Sequence, residues 1–422
     1  MEVVDLAAGW RTGLLVQKAM KILLIHNQYQ QPGGEQVAVE AQVSLLRERG
    51  HEVILYTRHN AEIERYGLLQ KAAFFPAAVF SRRTYCEIRT IVTRERPDVA
   101  HVHNVFPLIS PSVYWVLKDS GVPVVQTVHN FRFLCPNALF YTHGRICERC
   151  KYGNTLHAVQ WKCYRQSYLL SGLYALIIGL HRRARTFNLI DRFIALTEFT
   201  AQKLVESGLT THDKISVLGN FLPDPLPSPG AFEEREPYVV YLGRLSPEKG
   251  IEVLLDAVTG LPELRVKIAG DGPQSGTLQA FAQQRGLPQV EFLGRVVGEK
   301  KWELLRHATA VVVPSVWYEA FPFAVLESLT AGTPVVASNL GSLPYVVEDG
   351  KSGLLFQAGD SQDLREKLAW LVQHPAEALQ MGRYGRQVVE WRYSASAHYE
   401  VLMEIYQQAY YGGCNDASDQ SS

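Results

Sequence analysis

Neither sign of charge dominates this chain: Lys and Arg total 42, and so do Asp and Glu. So even a balance gives no overall field to gather nucleic acid, and a phosphate-bearing ligand must be held by a compact group of local charges. Long apolar runs are missing too. The longest, Tyr168 to Leu180, ends in His181-Arg182-Arg183 and falls short of the ~20 residues that cross a bilayer. It reads as a helix buried between domains, with an amphipathic element lying on an anionic membrane surface as the alternative. Residues 1–19 lack the unbroken apolar core of a secretion signal and read as a dispensable, disordered leader before a cleaner start at Met20-Lys21. No tandem repeat or low-complexity tract is found except the polar tail after Tyr411, expected to be disordered over 412–422.

What is present is a regular alternation. Short β-branched runs at Ile22–His26, Val53–Thr57, Asp98–His103, Val122–His129, Phe193–Leu196 and Ile215–Leu218 are spaced by helical or loop segments, the mark of βαβ units and a parallel sheet. A stretch rich in proline and acid, 223–237, cannot sit inside a strand or helix and is read as a linker. The alternation then resumes at Tyr238–Leu242, Arg265–Ala269, Val290–Leu293, Ala310–Val313, Pro334–Ser338 and Gly353–Phe356. At 422 residues the chain exceeds one ordinary core of about 250–300 residues, so two α/β domains are expected, 20–222 and 238–393. Tyr399, Leu402, Ile405, Tyr406 and Ala409 form an apolar helical stripe. Nothing later in the chain covers it, so the helix 394–411 must dock on an existing domain.

Three segments of the second half carry chemistry. Pro314-Ser315 through Glu327 follows a strand and is expected to open a helix at about Pro322. Free amides from Phe321 to Ala324, around Pro322, which has none of its own, and including Phe323, would then favour a diphosphate, with Glu319 at the mouth and Glu327 one turn into the helix. Carboxylates so placed accept strong hydrogen bonds from hydroxyls. Gly243-Arg244 through Lys249-Gly250 puts a guanidinium and an ammonium at the end of a strand, where α/β sheets bind ligands. Gly270-Asp271-Gly272 offers a turn close to a ligand, followed by Gly294-Arg295-Val296. In the first half, Gly33 and Gly34 precede a helix, and His129 ends a strand. His101 and His103 read as buried structural histidines near the cleft.

On these residues the chain resembles family 4 of the retaining glycosyltransferases, glycosyl transferases group 1, whose signature is a pair of glutamates with seven residues between them, as in Glu319 and Glu327. The likeness runs from Met20 to about Tyr410. It implies the GT-B fold: two facing Rossmann-like domains with parallel sheets and a C-terminal helix crossing back to the first. It also implies roles. Glu319 contacts the donor sugar and Glu327 the ribose, while Arg244 and Lys249 neutralise the leaving nucleoside diphosphate in place of a metal. Arg295 and Val296 meet the base, His129 the donor sugar, and the Gly33-Gly34 loop the donor phosphate and acceptor. The expected activity is hexosyl transfer with retention from a UDP- or GDP-linked sugar to a glycan or lipid-linked acceptor in bacterial surface polysaccharide synthesis. No cofactor is required, and the setting is cytoplasmic, with peripheral contact at the inner face of the plasma membrane as the alternative. The alternatives are a sugar-nucleotide epimerase or hydrolase of the same fold, or a non-catalytic nucleotide-sugar binding subunit, against which the intact charged set argues.

The cysteines cluster. Cys135, Cys147, Cys150 and Cys163 share one irregular segment, about 130–165. A four-thiolate zinc knuckle is compatible with that spacing, but there is no second Cys-x-x-Cys, and buried thiols of a reduced enzyme are the reading adopted. Cys86 and Cys414 read as unpaired bystanders.

Overall fold

The computed structural model describes residues 19–30, 33–229 and 237–418. Residues 1–18 of the expected leader, Gln31-Pro32, residues 230–236 of the expected linker and the last four residues of the expected tail lie outside the described residues. The first half holds strands β1 (Lys21–Gln28), β2 (Glu52–His59), β3 (Val99–Val102), β4 (Val124–Val128), a small antiparallel pair β5 (Tyr141–Thr142) and β6 (Arg145–Ile146), then β7 (Arg192–Ala195) and β8 (Ile215–Val217). The second holds β9 (Tyr238–Leu242), β10 (Arg265–Ala269), β11 (Val290–Gly294), β12 (Ala310–Val313), β13 (Val335–Ser338) and β14 (Gly353–Phe356). All twelve strands expected from the β-branched runs are there, four with the expected ends and the rest with ends shifted by at most two residues.

Each half builds one all-parallel sheet, in the orders β2-β1-β3-β4-β7-β8 and β11-β10-β9-β12-β13-β14. Strands covered on both faces can be apolar at every position, and β3, β4, β12 and β13 are buried throughout. The first sheet reverses direction of growth between β1 and β3, the second between β9 and β12. Loops at the carboxyl ends of strands flanking such a reversal splay apart and leave a crevice. In the second half those are the loops 243–250 and 314–322, which carry Arg244, Lys249 and Glu319.

The last helix, Ala395–Ser418, crosses back to the first sheet. Leu402, Tyr406 and Ala409 pack with Ile22, Val99, Val125 and Ile194, and the Tyr406 hydroxyl lies 2.7 Å from His101 Nδ1. Burying a side chain such as Leu402 in this way is worth about 1.5–3 kcal/mol. The helix is longer than expected and takes in Gly412 to Ser418, which were read as disordered. A second expectation also fails. The helix Tyr168–Arg183 is not buried between the halves: it lies on the outside of the first half, with Tyr168, Leu169, Leu176 and Leu180 exposed. An apolar run long enough for a helix says that something covers it, not which element.

Candidate functional site

In the second half the loop after β9 packs against the loop after β10. A Cβ on Gly270 would sit 1.8 Å from the Gly243 carbonyl oxygen, and one on Gly272 would sit 2.3 Å from that of Leu245. These glycines therefore serve loop-on-loop packing in the first place, sealed by Gly243 N–H to Ala269 O and Leu245 N–H to Asp271 O at 3.0 and 2.9 Å. Gly250, at φ +67° with no room for a Cβ beside the Pro314 carbonyl, joins the first loop to the loop after β12. The result is a rigid wall that fixes the cations on it.

Lys249 Nζ lies 2.7 Å from Glu319 Oε1 and 5.2 Å from the centroid of the Trp317 ring. Ser315 donates to the same Glu319 oxygen at 2.6 Å. Glu319 is only 5% exposed, so the glutamate expected at the mouth is instead set into the wall. Its buried charge is matched by the lysine, as a buried carboxylate requires.

The helix starts at Phe323, with Pro322 just outside it. Its first amides have no intrahelical acceptor. Phe321 does not face the cleft; its ring is buried against Tyr393 and Gly219, and its carbonyl accepts from Asn220 Nδ2. Phe323 points across the halves, 3.0 Å from where a Cβ of Gly34 would be. Glu327 pairs with Lys301 at 2.6 Å. Burial pushes the Glu327 carboxyl above its ordinary range, and Lys301 opposes this in part.

Between the halves opens a cleft of about 860 Å³, lined by Gln30, Gly243, Arg244, Gly270, Gly272, Asp271, Arg295, Val296, Lys301 and Glu327 among others. Seven of the residues singled out in the sequence thus share one cavity, with Lys249, Glu319 and Phe323 on the adjoining loop and helix. Arg244 and Arg295 are exposed and have no carboxylate partner among the described residues.

The first half contributes a polar cluster at the carboxyl ends of β1, β3 and β4. His129 Nε2 lies 2.8 Å from His103 Nδ1, and the rings of His101, His103 and His129 stack in series. Burial, reinforced by the charge of His26, holds the His129 imidazole down to about 3, so it is neutral near pH 7 and is left to hydrogen bonding. His101 and His103 are buried, as expected of structural histidines. The first turn of the helix Gly34–Glu48 brings Glu35 Oε1 to 3.7 Å from His26 Nδ1, while Asn130 Nδ2 donates to Glu35 Oε2 at 3.2 Å. His26 Nδ1, Glu35 Oε1 and His103 Nε2 are buried without a hydrogen-bond partner among the described residues.

Burial drives the Glu35 carboxyl up from 4.5 to about 8, against the pull of Arg132 and Asn130. A carboxyl whose folded value is raised stabilises the fold while protonated. That contribution is complete below about 4.5 and is lost as pH rises through about 8. In thermal unfolding from about pH 5 to about pH 9, the stability of the wild type relative to Glu35→Gln should fall steadily with pH. A gap that does not change with pH would mean that Glu35 is ionised throughout.

The cysteine segment folds beside the same wall. Glu148 accepts from the Tyr318 hydroxyl across the halves at 2.9 Å and pairs with Lys151 and Lys203 at 2.7 and 2.9 Å. The Tyr318 ring packs on Phe131, Phe140 and Phe199. Cys135, Cys147, Cys150 and Cys163 line one cavity of about 10 Å³ with His157. Burial pushes the Cys135 and Cys150 thiols up to about 11 and about 12, and the Cys135 thiol donates to Asn137 Oδ1. Among the described residues no three His, Cys, Asp or Glu side chains are arranged to hold a metal ion.

Sequence reasoning missed Lys301, Ser315, Tyr318, Glu35 and His26. Ser315, Tyr318 and Glu35 lie inside motifs that were singled out but drew no role. Lys301 had one usable signal: it lies in the first turn of the helix Glu299–His307, which follows the Arg295-Val296 loop.

Two family models match the chain in tandem: Glycosyltransferase Family 4 over residues 32–223 and Glycosyl transferases group 1 over residues 226–388. The sulfoquinovosyl transferase SQD2 of Arabidopsis thaliana is 26% identical over 83% of this chain and 66% of its own length. The D-rhamnosyltransferase WbpZ of Pseudomonas aeruginosa is 36% identical over 35% of this chain and 39% of its own length. The chain thus spans about two thirds of the first relative's length and less than half of the second's. In fold, sucrose-phosphate synthase from Thermosynechococcus elongatus superposes with a TM-score of 0.70 at 19% identity over 93% of this chain and 100% of that one. Anabaena Alr3699/HepE in complex with UDP does so at 0.64 and 18%, over 91% and 99%. With one model matching each sheet's half and the GT-B arrangement of two facing parallel sheets between them, the chain belongs to the group 1, family 4 glycosyltransferases.

Proposed function

We propose that the protein transfers a hexose, with retention and without a metal, from a nucleoside diphosphate sugar to a hydroxyl of a glycan or lipid-linked acceptor in the cytoplasm, in the service of surface polysaccharide assembly. The observation that carries this reading is the Lys249–Glu319 pair, set at the reversal of the second sheet and adjoining a cleft with Arg244 and Glu327 on its wall. In it the diphosphate meets Arg244, Lys249 and the open amides of Phe323 and Ala324, where positive charge and helix-end dipoles stabilise an electron-rich leaving group. Glu319 uses Oε1 to hold Lys249, which leaves Oε2 for a donor-sugar hydroxyl. Glu327 takes the ribose, and the backbone at Arg295 and Val296 takes the base. Neutral His129 and the Gly33-Gly34 loop approach the sugar and phosphate from the first half, and the acceptor hydroxyl attacks from the face the diphosphate leaves. A donor bearing UDP is favoured because HepE, of the same fold, was solved with UDP. The division into 20–222 and 238–393 goes with this reading, one part for each substrate.

The test is a thermal-shift and nucleotide-release screen of UDP-, GDP- and ADP-sugars, with and without EDTA and with added glycan or lipid-linked acceptors. Stabilisation by one donor, unchanged by EDTA, followed by acceptor-dependent release of its nucleotide, is expected. Release that ignores every acceptor would assign the cleft to a hydrolase instead.

A further inference from the structure

The outer face of the first half carries what its charge balance would not suggest. The segments 66–86 and 152–190 contain no Asp or Glu at all, yet hold Arg82, Arg83, Lys162, Arg165, Arg182, Arg183 and Arg185. In a chain with equal totals of both signs, that is a local concentration of one sign.

The same segments build two neighbouring helices, Leu68–Val79 and Tyr168–Arg183. Between them runs an apolar groove of about 380 Å³, lined by Phe75, Pro76, Val79, Leu169, Leu173 and Leu176 among others. Leu69 is 87% exposed, Leu169 66% and Leu176 53%. Leu169, Leu176, Leu180 and Arg183 recur at spacings of seven, four and three, which places them on one side of the helix. The basic end of the groove is fixed by His181 Nε2, 2.8 Å from the Val79 carbonyl oxygen. That bond ties the helix turn that runs into Arg183 and Arg185 to Val79, three residues before Arg82. Arg82, Arg183 and Arg185 are exposed with no carboxylate partner among the described residues, whereas Arg182 is spent on the Lys151 and Ser207 carbonyls and Arg83 on Glu87.

We infer that this face docks the protein on an anionic lipid bilayer, the apolar groove entering the acyl boundary and Arg82, Arg183 and Arg185 meeting lipid phosphates. The combination fits that occupant on two counts. Contiguous apolar surface of this kind marks an interaction site, and an apolar face edged by arginines matches the boundary between acyl chains and anionic headgroups. A second copy of the chain fits worse, since a self-complementary contact would set two arginine-rich rims against each other. No helix among the described residues is long and apolar enough to cross a membrane, so the contact is peripheral. The inference stands on the surface alone and holds whatever the cleft transfers.

The experiment is co-sedimentation of the full chain with vesicles of equimolar phosphatidylglycerol and phosphatidylcholine, and with phosphatidylcholine alone. Sedimentation is expected with the first and about 10-fold less with the second, and raising salt from about 0.15 M to about 1 M should weaken it. The Leu169→Asp/Leu176→Asp and Arg82→Ser/Arg183→Ser/Arg185→Ser variants should each lose about 10-fold in partitioning, with melting temperature unchanged to certify the fold. Absence of binding to the anionic vesicles, or equal binding by either variant, overturns the inference. So does a concentration-dependent dimer in analytical ultracentrifugation that Leu176→Asp dissolves, which would assign the face to a second copy.

Discussion

Lys249→Ala should lower the rate of sugar transfer by on the order of 10³-fold while leaving the protein folded. Two losses combine. One donor aimed at a developing negative charge in a water-poor site is worth about 10²–10³ in rate. In addition, Glu319, buried and 2.7 Å from the lysine, is left as a carboxylate with Ser315 and no matching cation. A double-mutant cycle separates these parts. If Lys249 serves only to neutralise Glu319, then Lys249→Met combined with Glu319→Gln should regain most of the rate, because the removed cation and the removed anion balance. If the lysine acts on the leaving diphosphate, the double variant stays as slow as the single one. We expect the second result in initial-rate measurements at saturating donor. Lys249→Arg should retain a small fraction of activity, since a planar guanidinium keeps the charge but not the reach of a compact ammonium.

The fold was legible because the central strands of these sheets, β3, β4, β12 and β13, are buried on both faces and so read as near-continuous apolar runs, whereas a half-exposed strand would alternate. The C-terminal helix was legible for a related reason: the stripe Tyr399, Leu402, Ile405, Tyr406 demanded a surface, and only an existing sheet face could supply one. The helix Tyr168–Arg183 was misread because its sequence reports apolarity without saying which neighbour shares it. Its inner residues, such as Leu173 and Ile177, do enter the core, while Leu169 and Leu176 do not.

The site divides in the same way. Arg244, Gly270 and Arg295 could be placed from strand ends, because loops at the carboxyl side of a parallel sheet converge, and Glu327 from the helix expected to open at about Pro322. What stayed hidden were partnerships between distant positions. Nothing local to Glu327 names Lys301, 26 positions earlier, nor does Glu148 announce Tyr318, 170 positions later. The glycines show the limit from the other side. Gly270 and Gly272 lie at the cleft as expected, but the space a Cβ would take is filled by the neighbouring loop and not held open for a ligand.

Glu327→Gln should weaken nucleotide binding by roughly 10- to 100-fold, the loss of one hydrogen bond to a charged group worth about 1.5–3 kcal/mol. If Glu327 grips the ribose, the loss falls equally on UDP and on UDP-sugar, because the sugar is not involved, and titration calorimetry with both ligands reads it directly. If the carboxylate serves only to tie the helix Glu299–His307 to the helix Phe323–Thr330 through Lys301, the variant should melt lower and bind nucleotide as before. The pH dependence separates the two further. Burial holds the Glu327 carboxyl above its ordinary range, so as pH falls it takes a proton earlier than a surface glutamate would. The protonated acid is a weaker partner for a hydroxyl donor than the carboxylate. Nucleotide affinity in the wild type should therefore decline toward acid, starting above the usual carboxylate range, while Glu327→Gln, which has no proton to gain, should lack that decline. An identical acid limb in both proteins would remove Glu327 from the nucleotide contact and leave it a strut between two helices.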